Sequence, residues 1–342
     1  MELAERKKKI LSYVIESYIR TGEPVGSKTL ISETGLDVSS ATVRNDMADL
    51  TNKGYLIQPH TSAGRIPTQQ GYRYYVDNVM KIKPMSQGSR EYIQSVLSQS
   101  ADSPESILQK AADLIAELTE LVTVATTPSS VESRIRKISF VRTGSRTAMV
   151  VVMTSNGIIK TKLFRCEFII TDDLLEVFDK ALNSLFAGVK LDSINMPFIQ
   201  TAAAKFGELS LFMPSVLMAI MDSAKQAKET GIFHSSYSAL MFMPDSDFIK
   251  TRALLEFLNN VHDVAAMLDK MPYGSNVTIG SENSRIELAA NSVISTRYTV
   301  NSDHSGVIAA VAPLRTDYAR IISIIECVAK CTEDLIDELT EI

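Results

Sequence analysis

The stretch SSATVRNDMADLTNKGYLIQPHTSAGRIPTQQGYRY, residues 39–74, decides how the rest of the chain is interpreted. Its first residue, Ser39, is of the type that caps helix N-termini, and it stands just before an apolar run with helical spacing. The apolar positions recur at i, i+4 and i+7 and predict one buried stripe, which comprises Val43, Met47 and Leu50. Gly54 is expected to end the helix, because glycine readily adopts the left-handed conformation that follows a helix C-terminus.

The helix face opposite this stripe is small, polar and basic, and it comprises Ala41, Arg44, Asn45 and Ala48. An arginine such as Arg44 can bond bidentately to guanine, and an asparagine such as Asn45 can do the same with adenine. Alanine and threonine methyl groups can contact the methyl group of thymine. Ser40 and Thr42 flank the face at positions from which they can reach phosphates. The pattern therefore favours a DNA-recognition helix.

A short β-hairpin is predicted directly after this helix, with strands at residues 55–57 and from residue 66 onward. The loop between them, HTSAGR, is small and basic, so its backbone can approach the sugar-phosphate chain of DNA. Its candidate DNA-binding residues are His60, Ser62 and Arg65. The alternative is an ordinary solvated hairpin on an ordinary helix, but the helices that precede the stretch favour DNA binding.

Two helices are predicted upstream, one over residues 2–20 and a short one that Ser27 caps. Gly35 ends the short helix, and a turn at residues 36–38 leads into the recognition helix. Two helices joined by a glycine-containing turn, the second with a polar outer face, form the helix-turn-helix pattern. Lys28, on the short helix, completes the set of candidate DNA-binding residues.

Downstream of the hairpin, Thr68 is predicted to cap a helix over residues 69–82. Its aromatic residues can stack on bases or pack the helix against its neighbours, and their spacing favours packing; they include Tyr72, Tyr74 and Tyr75. Residues 84–104 are rich in Ser and Gln and hold two prolines, which predicts a linker with a short helix around residues 92–97.

Charge is distributed unevenly along the 342 residues, whose net formal charge is −5. Residues 1–83, which we call the head, carry a net charge of +3, and the remainder carries −8. A basic head on an acidic remainder would orient the head toward phosphate, and its mild charge predicts that two heads act together. Because Asp46 and Asp49 repel phosphate, we expect them to point along the groove wall or to turn toward neighbouring Arg and Lys side chains.

Beyond the linker, the pattern predicts an α+β arrangement in which an antiparallel sheet is flanked by an early and a late helix. The predicted elements are a helix over 105–125, three strands within 135–164, a helix-rich block over 171–231 with one Met-rich helix over 211–228, further strands within 277–312 and a closing helix over 316–339. Met-rich apolar helices suit adaptable contacts with a partner, although plain core packing explains any single Met equally well.

Three motifs together resemble a known family: PVGSKTL at 24–30, SSATVRNDM at 39–47 and GYLIQPHTSAGRIPTQQGYRYYVD at 54–77. They are similar to the winged-helix head of the HrcA heat-inducible transcription repressors, and the resemblance extends through GVIAAVAPLRTDYARIISIIE at 306–326. It implies a homodimeric repressor that binds double-stranded DNA at an inverted-repeat, CIRCE-type operator of heat-shock chaperone operons. It also implies modulation by the chaperonin GroEL. Thr51 departs from the family pattern, in which an acidic residue is expected there.

The resemblance also implies the fold class, which is α+β multidomain with an N-terminal winged helix-turn-helix and a GAF-like α+β domain that carries an inserted helical dimerisation domain. The expected division is a DNA-binding domain at 1–83, a linker at 84–104, a discontinuous GAF-like domain at 105–170 and 232–342, and the inserted domain at 171–231.

The sequence offers no pattern for catalysis, so we expect no enzyme, no catalytic residue and no cofactor. The four histidines share no ligand spacing, and two thiols such as Cys327 and Cys331 make a poor zinc site, so we expect no metal site and free thiols. No apolar run reaches the roughly 18 residues of a membrane span, and the N-terminus is charged. We expect a cytoplasmic protein that associates with the nucleoid when bound to DNA.

Two other functions stay open at this point. The first is a metabolite-responsive winged-helix regulator, in which a small ligand in the GAF-like domain shifts the spacing of the heads. The second is an interaction protein whose head no longer binds DNA, although the presence of Arg44, Asn45 and Arg65 argues against it.

Overall fold

The computed structural model describes residues 3–35, 38–99, 101–129, 132–207, 213–242, 247–301 and 304–340. In chain order, its helices are α1 Glu5–Thr21, α2 Ser27–Thr34, α3 Ser40–Asn52, α4 Gln69–Asn78, α5 Gln87–Ser98, α6 Pro104–Thr119, α7 Asp172–Phe186, α8 Met196–Ala204, α9 Pro214–Lys228, α10 Phe248–Leu258, α11 Val261–Asp269 and α12 Tyr318–Thr340. Its strands are β1 Leu56–Ile57, β2 Ile66–Pro67, β3 Val122–Thr126, β4 Ile135–Arg142, β5 Thr147–Thr154, β6 Ile159–Arg165, β7 Ile232–His234, β8 Ser275–Ile279, β9 Asn291–Val300 and β10 His304–Pro313. The described ranges leave out residue 2 of the first predicted helix, residues 36–37 of the predicted turn, residue 100 of the predicted linker and residues 208–212 of the predicted helix-rich block.

The head folds as α1 to α3, the β1–β2 hairpin and α4. Ser39 caps α3 as predicted, and its side-chain oxygen accepts a 3.1 Å hydrogen bond from the Thr42 amide. Gly54 follows α3 with a φ of 81°, the left-handed conformation expected of it. The prediction for Ser27 was wrong, because it is the first helical residue of α2 and Gly26 stands at the N-cap. The Ser27 hydroxyl instead contacts the start of α3.

The segment predicted as a linker, residues 84–104, contains the 12-residue helix α5. Its Ile93 and Leu97 are fully buried in a core that includes α6 and α12, so this segment is not a flexible connection. The short helix expected around residues 92–97 is therefore present and longer than predicted, and the assignment of residues 84–104 as a linker between domains stays a prediction. α4 is also shorter than predicted and ends at Asn78.

Five antiparallel strands form the larger sheet, in the order β7-β3-β10-β9-β8. Ile308 in the middle of β10 pairs with Ala125 of β3 on one side and with Thr296 of β9 on the other. The helix predicted over 105–125 was therefore wrong at its end: α6 stops at Thr119, and β3 follows. Every residue of β3 is buried, and such a strand lacks the alternation that would separate it from a helix in sequence.

Helices cover both faces of this sheet. Alternate residues of β10 point to opposite faces, so Ile308 joins the core beneath α6 and α12 whereas Val307 joins a second core beneath α10 and α11. The sequence did not predict α10, α11 or the three-residue strand β7. We call α6, β3, β7 to β10 and α10 to α12 the body.

The strands β4 to β6 form a separate three-stranded antiparallel sheet, on which α7 and α9 pack. These strands lie close to their predicted positions, but they do not join the larger sheet as expected. Their apolar side chains and those of α7 to α9 form a core of their own around Phe178 and Phe186. We call β4 to β6 with α7 to α9 the three-stranded unit. The division into domains stays a prediction. The residues of this separate core begin near residue 135, whereas the predicted inserted domain begins at residue 171.

The head and the body share one core. The same cluster of buried apolar side chains contains Ile10 and Leu50 of the head, and Ile115 and Ile325 of α6 and α12. The 23-residue helix α12 is amphipathic and closes this core. Neither α12 nor any other helix within the described ranges is both long and apolar enough to cross a membrane.

Candidate nucleic-acid interface

Helix α3 exposes the face that the sequence predicted. Ala41, Arg44 and Asn45 are exposed and Ala48 is half-buried. The opposite stripe is closed against α1 and α2, and its relative exposures are 0% for Val43, 4% for Met47 and 0% for Leu50. The outer face of α3 is therefore a ridge held rigidly from behind.

Both acidic side chains of α3 turn away from this face and toward α1, as expected. Arg6 Nε donates to Asp46 Oδ2 at 2.7 Å, and Lys7 Nζ donates to Asp49 Oδ2 at 2.6 Å. Lys53 Nζ lies 3.0 Å from the same Asp49 oxygen. Hydrogen bonds from Lys7 and then from Lys53 lower the pKa of the Asp49 carboxyl, which favours its charged form. The negative charge of α3 is thus compensated behind the helix.

Arg44 on α3 and Lys28 on α2 are exposed, and neither pairs with any residue that the structure describes. In contrast, Arg20 at the end of α1 pairs with Glu33 across 3.2 Å. The cations that point outward from α2 and α3 therefore have their charge available for an external anion.

Hydroxyl groups tie the start of α3 to α2. Ser27 Oγ and Ser40 Oγ are 3.2 Å apart, and Ser39 Oγ and Thr42 Oγ1 are 2.9 Å apart. Ser40 and Thr42 are half-buried rather than free, but each hydroxyl can donate one bond and accept more than one. These hydroxyl groups fix the position at which α3 begins, and each can still form a further hydrogen bond.

The hairpin loop is fastened to the turn between α1 and α2. The backbones of Val25 and Arg65 exchange two hydrogen bonds, each of 2.9 Å. Gly64 makes this approach possible, since a Cβ there would lie 2.4 Å from the Val25 carbonyl oxygen. The structure thereby brings the loop together with α2 and α3 in the head. No local sequence pattern marks this bridge, because it joins residues 40 apart.

Within the loop, His60 and Ser62 are exposed, with the His60 Nδ1 atom 3.3 Å from Ser62 Oγ. The Gln58 amide donates to the carbonyl oxygens of Thr61 and Ala63, which holds the tip in shape. Arg65 is half-buried, and its Nε atom is buried without a hydrogen-bond partner in the described part of the chain.

The tyrosines of α4 pack inside the protein. Tyr72 and Tyr75 are 3% and 8% exposed, and the Tyr72 ring lies 5.9 Å from that of Tyr318 in α12. Tyr74 is half-buried against Tyr55, with the ring centroids 5.2 Å apart. The packing interpretation of these residues is confirmed.

Fold and surface together define an α+β protein whose small N-terminal helix-and-hairpin unit presents a basic ridge with its acidic side chains paired behind it. Residues 105–322 match the family model described as the HrcA protein C-terminal domain. The chain belongs to the HrcA family of heat-inducible transcription repressors, which confirms the resemblance carried by the head motifs.

Relatives match the chain over nearly its whole length. The heat-inducible transcription repressor HrcA of Thermoanaerobacter pseudethanolicus is 34% identical, with 99% of this chain and 98% of that protein covered. The HrcA of Clostridium acetobutylicum is 33% identical, with 95% of each covered. A crystal structure described as a hypothetical protein shares the fold, with a TM-score of 0.66 and 22% identity over 99% of this chain and 100% of that one.

Proposed function

We propose that this repressor binds duplex DNA through its head, which acts as a winged helix-turn-helix. In this proposal α3 is the recognition helix and the β1–β2 hairpin is the wing. The supporting observation is the outer face of α3, which is exposed, carries Arg44 and Asn45, and has both acids of the helix paired behind it. Such a face suits the size and the donor and acceptor pattern of a major groove.

The candidate residues divide into two roles. Arg44 and Asn45 bond to base edges, and Ala41 contacts a thymine methyl group, so these side chains provide specificity. The remaining residues bind phosphates and sugars, which positions the head without reading sequence. These residues are Lys28, Ser40, Thr42, His60, Ser62 and Arg65.

The repressor acts in this proposal as a cytoplasmic homodimer on an inverted-repeat, CIRCE-type operator. A head with a net charge of +3 binds weakly alone, and linking two heads raises the effective concentration of the second. Two recognition helices in successive major grooves are about 34 Å apart, or a multiple of that distance. Two-fold symmetry of the protein then matches the symmetry of the operator.

The three-stranded unit is the proposed dimerisation domain, inserted into a GAF-like body. Several of its large apolar side chains are exposed, including Leu163 at 65%, Ile169 at 64% and Val177 at 46%. We infer that these exposed apolar side chains meet a protein partner, and a second copy of the unit fits the proposed dimer. Its separate core supports an insert that begins near residue 135.

Base reading is tested by Arg44→Ala in competition binding against operator duplexes with single-base changes. The variant should lose about 1–3 kcal/mol per head and relax preference at one position of each half-site. Arg20→Ala is the matched control, because it removes an exposed head arginine that is paired with Glu33 and lies off α3. An unchanged base preference in Arg44→Ala would show that the outer face of α3 does not read DNA.

Phosphate binding is tested by Lys28→Ala, whose side chain is exposed and has no partner among the described residues. The variant should weaken binding to every sequence alike and reduce the slope of log affinity against log salt by roughly one for each phosphate that the side chain no longer neutralises. Weaker binding to the operator sequence alone would contradict this role.

Chaperonin modulation is part of the proposal and has a direct test. Heat-treated repressor is diluted from a stock solution, and its binding to the operator is then measured at two temperatures, each with and without GroEL. Chaperonin should raise the fraction of repressor that binds DNA, most strongly after heating. An equal bound fraction in all four conditions would remove GroEL from the proposal.

A second candidate is regulation by a small ligand. An open cleft of about 1240 Å³ lies between the head and the body, and both apolar side chains such as Tyr75 and Ile324 and basic ones such as Lys81 and Arg320 line it. A ligand there would contact both parts and shift their arrangement. Thermal unfolding against a panel of nucleotides and metabolites tests this function, and a large ligand-specific rise in Tm would support it.

A further inference from the structure

A polar contact joins the head to the body at the start of α4. The Gln69 amide nitrogen donates to the Ile279 carbonyl oxygen at 2.6 Å and to Ser281 Oγ at 2.9 Å. The Gln69 oxygen accepts from the Ser281 amide at 3.0 Å. Both ends of one side-chain amide are therefore used by a single turn of the body that is more than 200 residues away in the chain.

One helical turn later, Arg73 makes a bidentate ion pair with the same turn. Its Nε atom donates to Glu282 Oε1 at 2.9 Å and its Nη2 atom to Glu282 Oε2 at 2.5 Å. Nη1 donates to Asp77 at 3.0 Å, so the guanidinium is held from its own helix as well. Bidentate geometry fixes orientation as well as distance. We call Gln69, Arg73 and the turn at residues 277–282 the latch.

The body side of the latch is held in shape by hydrogen bonds within the body. Gly280 has a φ of 56°, which favours glycine, and a Cβ there would lie 2.4 Å from the Gln69 oxygen, so a larger residue would displace the Gln69 side chain. The Asn283 amide donates to the carbonyl oxygens of Gly280, Leu288 and Asn291. The turn is thereby tied to the start of β9 and receives α4 as a rigid element.

The head side is equally rigid, because α4 is packed directly onto the end of α3. Thr68 Oγ1 donates to the Gly54 carbonyl oxygen at 2.5 Å and accepts from the Gly71 amide at 3.1 Å. A Cβ at Gly71 would lie 2.2 Å from the Tyr55 carbonyl oxygen, so the two segments touch through their backbones. The orientation of α3 is therefore coupled to that of α4, which the latch holds.

We propose that Gln69 and Arg73 are positioning residues that determine which spacing between operator half-sites the repressor accepts. The inference rests on the proposed function as a dimer that binds an inverted repeat. The shared core attaches each head to its body, the latch sets the angle of that attachment, and the dimer contact fixes the two bodies to each other. The distance and angle between two recognition helices then follow from the latch. With the latch broken, each head keeps its fold and its contact with the shared apolar core, but its orientation on the body varies over a wider range.

The latch acts by orientation and not by covering the DNA-binding face. Ala41, Arg44 and Asn45 are exposed while the latch is closed. A contact that blocked DNA would bury some of these residues. Opening the latch therefore gives no new access to α3 and removes only the constraint on its direction.

The test compares two latch variants, Gln69→Ala/Arg73→Ala on the head and Glu282→Gln on the body, with Glu256→Gln as control. Glu256 pairs with Arg252 within α10, so the control makes the same charge change outside the latch. Binding is measured to a single half-site selected by the wild-type protein from random duplexes. It is also measured to inverted pairs of that half-site whose spacer changes in single base pairs over one helical turn.

Wild-type protein and the control should bind best at one spacing, with affinity at least about tenfold lower half a helical turn away. Both latch variants should flatten this profile to within about threefold and bind the single half-site with unchanged affinity. A spacing profile like that of wild type would overturn the proposal. Equal tightening at every spacing would also overturn it, because it would reveal a blocking contact.

Hydrogen exchange without DNA separates failure of the latch from failure of the proposed function. The Ser281 amide donates to Gln69, so peptides covering residues 275–282 should exchange faster in Gln69→Ala/Arg73→Ala than in wild type. Unchanged exchange would show that the latch does not hold in solution. Faster exchange in a wild-type protein that selects no half-site would instead overturn the proposed function and the assigned role in spacing with it.

Discussion

The head and the three-stranded unit are attached to the body in opposite ways. The head shares an apolar core with α6 and α12, and its Tyr72 ring contacts Tyr318 across the boundary. The three-stranded unit has a core of its own, and its junction with the body is polar. At this junction Asn156 is fully buried, and Ser155 Oγ lies 3.0 Å from His304 Nε2.

This difference determines how far a disturbance spreads. A change in the shared core lowers the stability of head and body together, because both bury surface in it. A change inside the three-stranded unit stays local, since a unit with a separate core can unfold separately. Signals that act through stability therefore reach the outer face of α3 from the body more directly than from the three-stranded unit.

The largest expected effect is that of Phe178→Ala, at the centre of the core of the three-stranded unit, where the side chain is fully buried. Removal of a buried phenylalanine costs about 3–5 kcal/mol. Hydrogen exchange measured at increasing urea concentrations should show that peptides in residues 135–227 lose protection at low urea, while peptides of the head stay protected. Simultaneous loss of protection in α3 would refute the independence of the unit.

Leu50→Ala gives the matching measurement on the other side of the comparison. Leu50 is fully buried in the shared core, and its truncation should cost about 2–5 kcal/mol. Protection should fall in both the head and α12 and stay unchanged in α7 to α9. Reduced protection in the head alone would show that the shared core does not couple head and body.

A smaller effect is expected at the polar junction. Asn156 accepts from Ser133 at 2.8 Å and from Thr154 at 2.5 Å, and it donates to the Pro128 carbonyl oxygen at 3.1 Å. Asn156→Ala leaves buried partners unsatisfied and should cost about 1–3 kcal/mol, measured by chemical unfolding. The control is Asn259→Ala, which removes a similar bond to a backbone carbonyl at an exposed site, and its cost should be far smaller.

The smallest expected effect is a dependence of the head–body contact on pH. Burial by itself raises the pKa of the Glu282 carboxyl, but hydrogen bonds from Arg73 and from the Ile279 amide outweigh it, so the pKa lies below its ordinary value. A lowered folded-state pKa gives stability that is present above the unfolded value of about 4.3 and lost as the pH falls through the folded one.

Glu282→Gln should therefore destabilise the protein at pH 6 by less than about 1 kcal/mol, because the pair is partly exposed. The difference from wild type should shrink toward pH 3, measured by urea unfolding at each pH. A difference that stays constant over this range would mean that the carboxylate charge does not stabilise the latch.

The head could be predicted from sequence because its signals are local. Ser39, Gly54 and Thr68 mark helix ends within a few residues of the elements they bound, and the stripe with Val43 and Leu50 orients α3. Exposure of Arg44 and Asn45 follows from that stripe alone. The roles of these two residues in binding DNA stay predictions until binding is measured.

The body was predicted less well because its organisation depends on pairings between distant residues. β3 follows α6 after two residues, and its run VTVAT has the same apolar character as the helix before it. The assignment of β4 to β6 to a separate sheet depends on which strands meet, which periodicity cannot show. The latch joins Gln69 to a turn beyond residue 276, and no local pattern marks either side of it.

The pairing of β3 with β10 has a consequence for how the chain is made. Ala125 of β3 lies opposite Ile308, so the middle of the large sheet stays open until the ribosome has added more than 180 residues after β3. The head emerges early, but α12, against which it finally packs, emerges last. Until α12 has been made, the head and α6 therefore lack the helix that completes their shared apolar core.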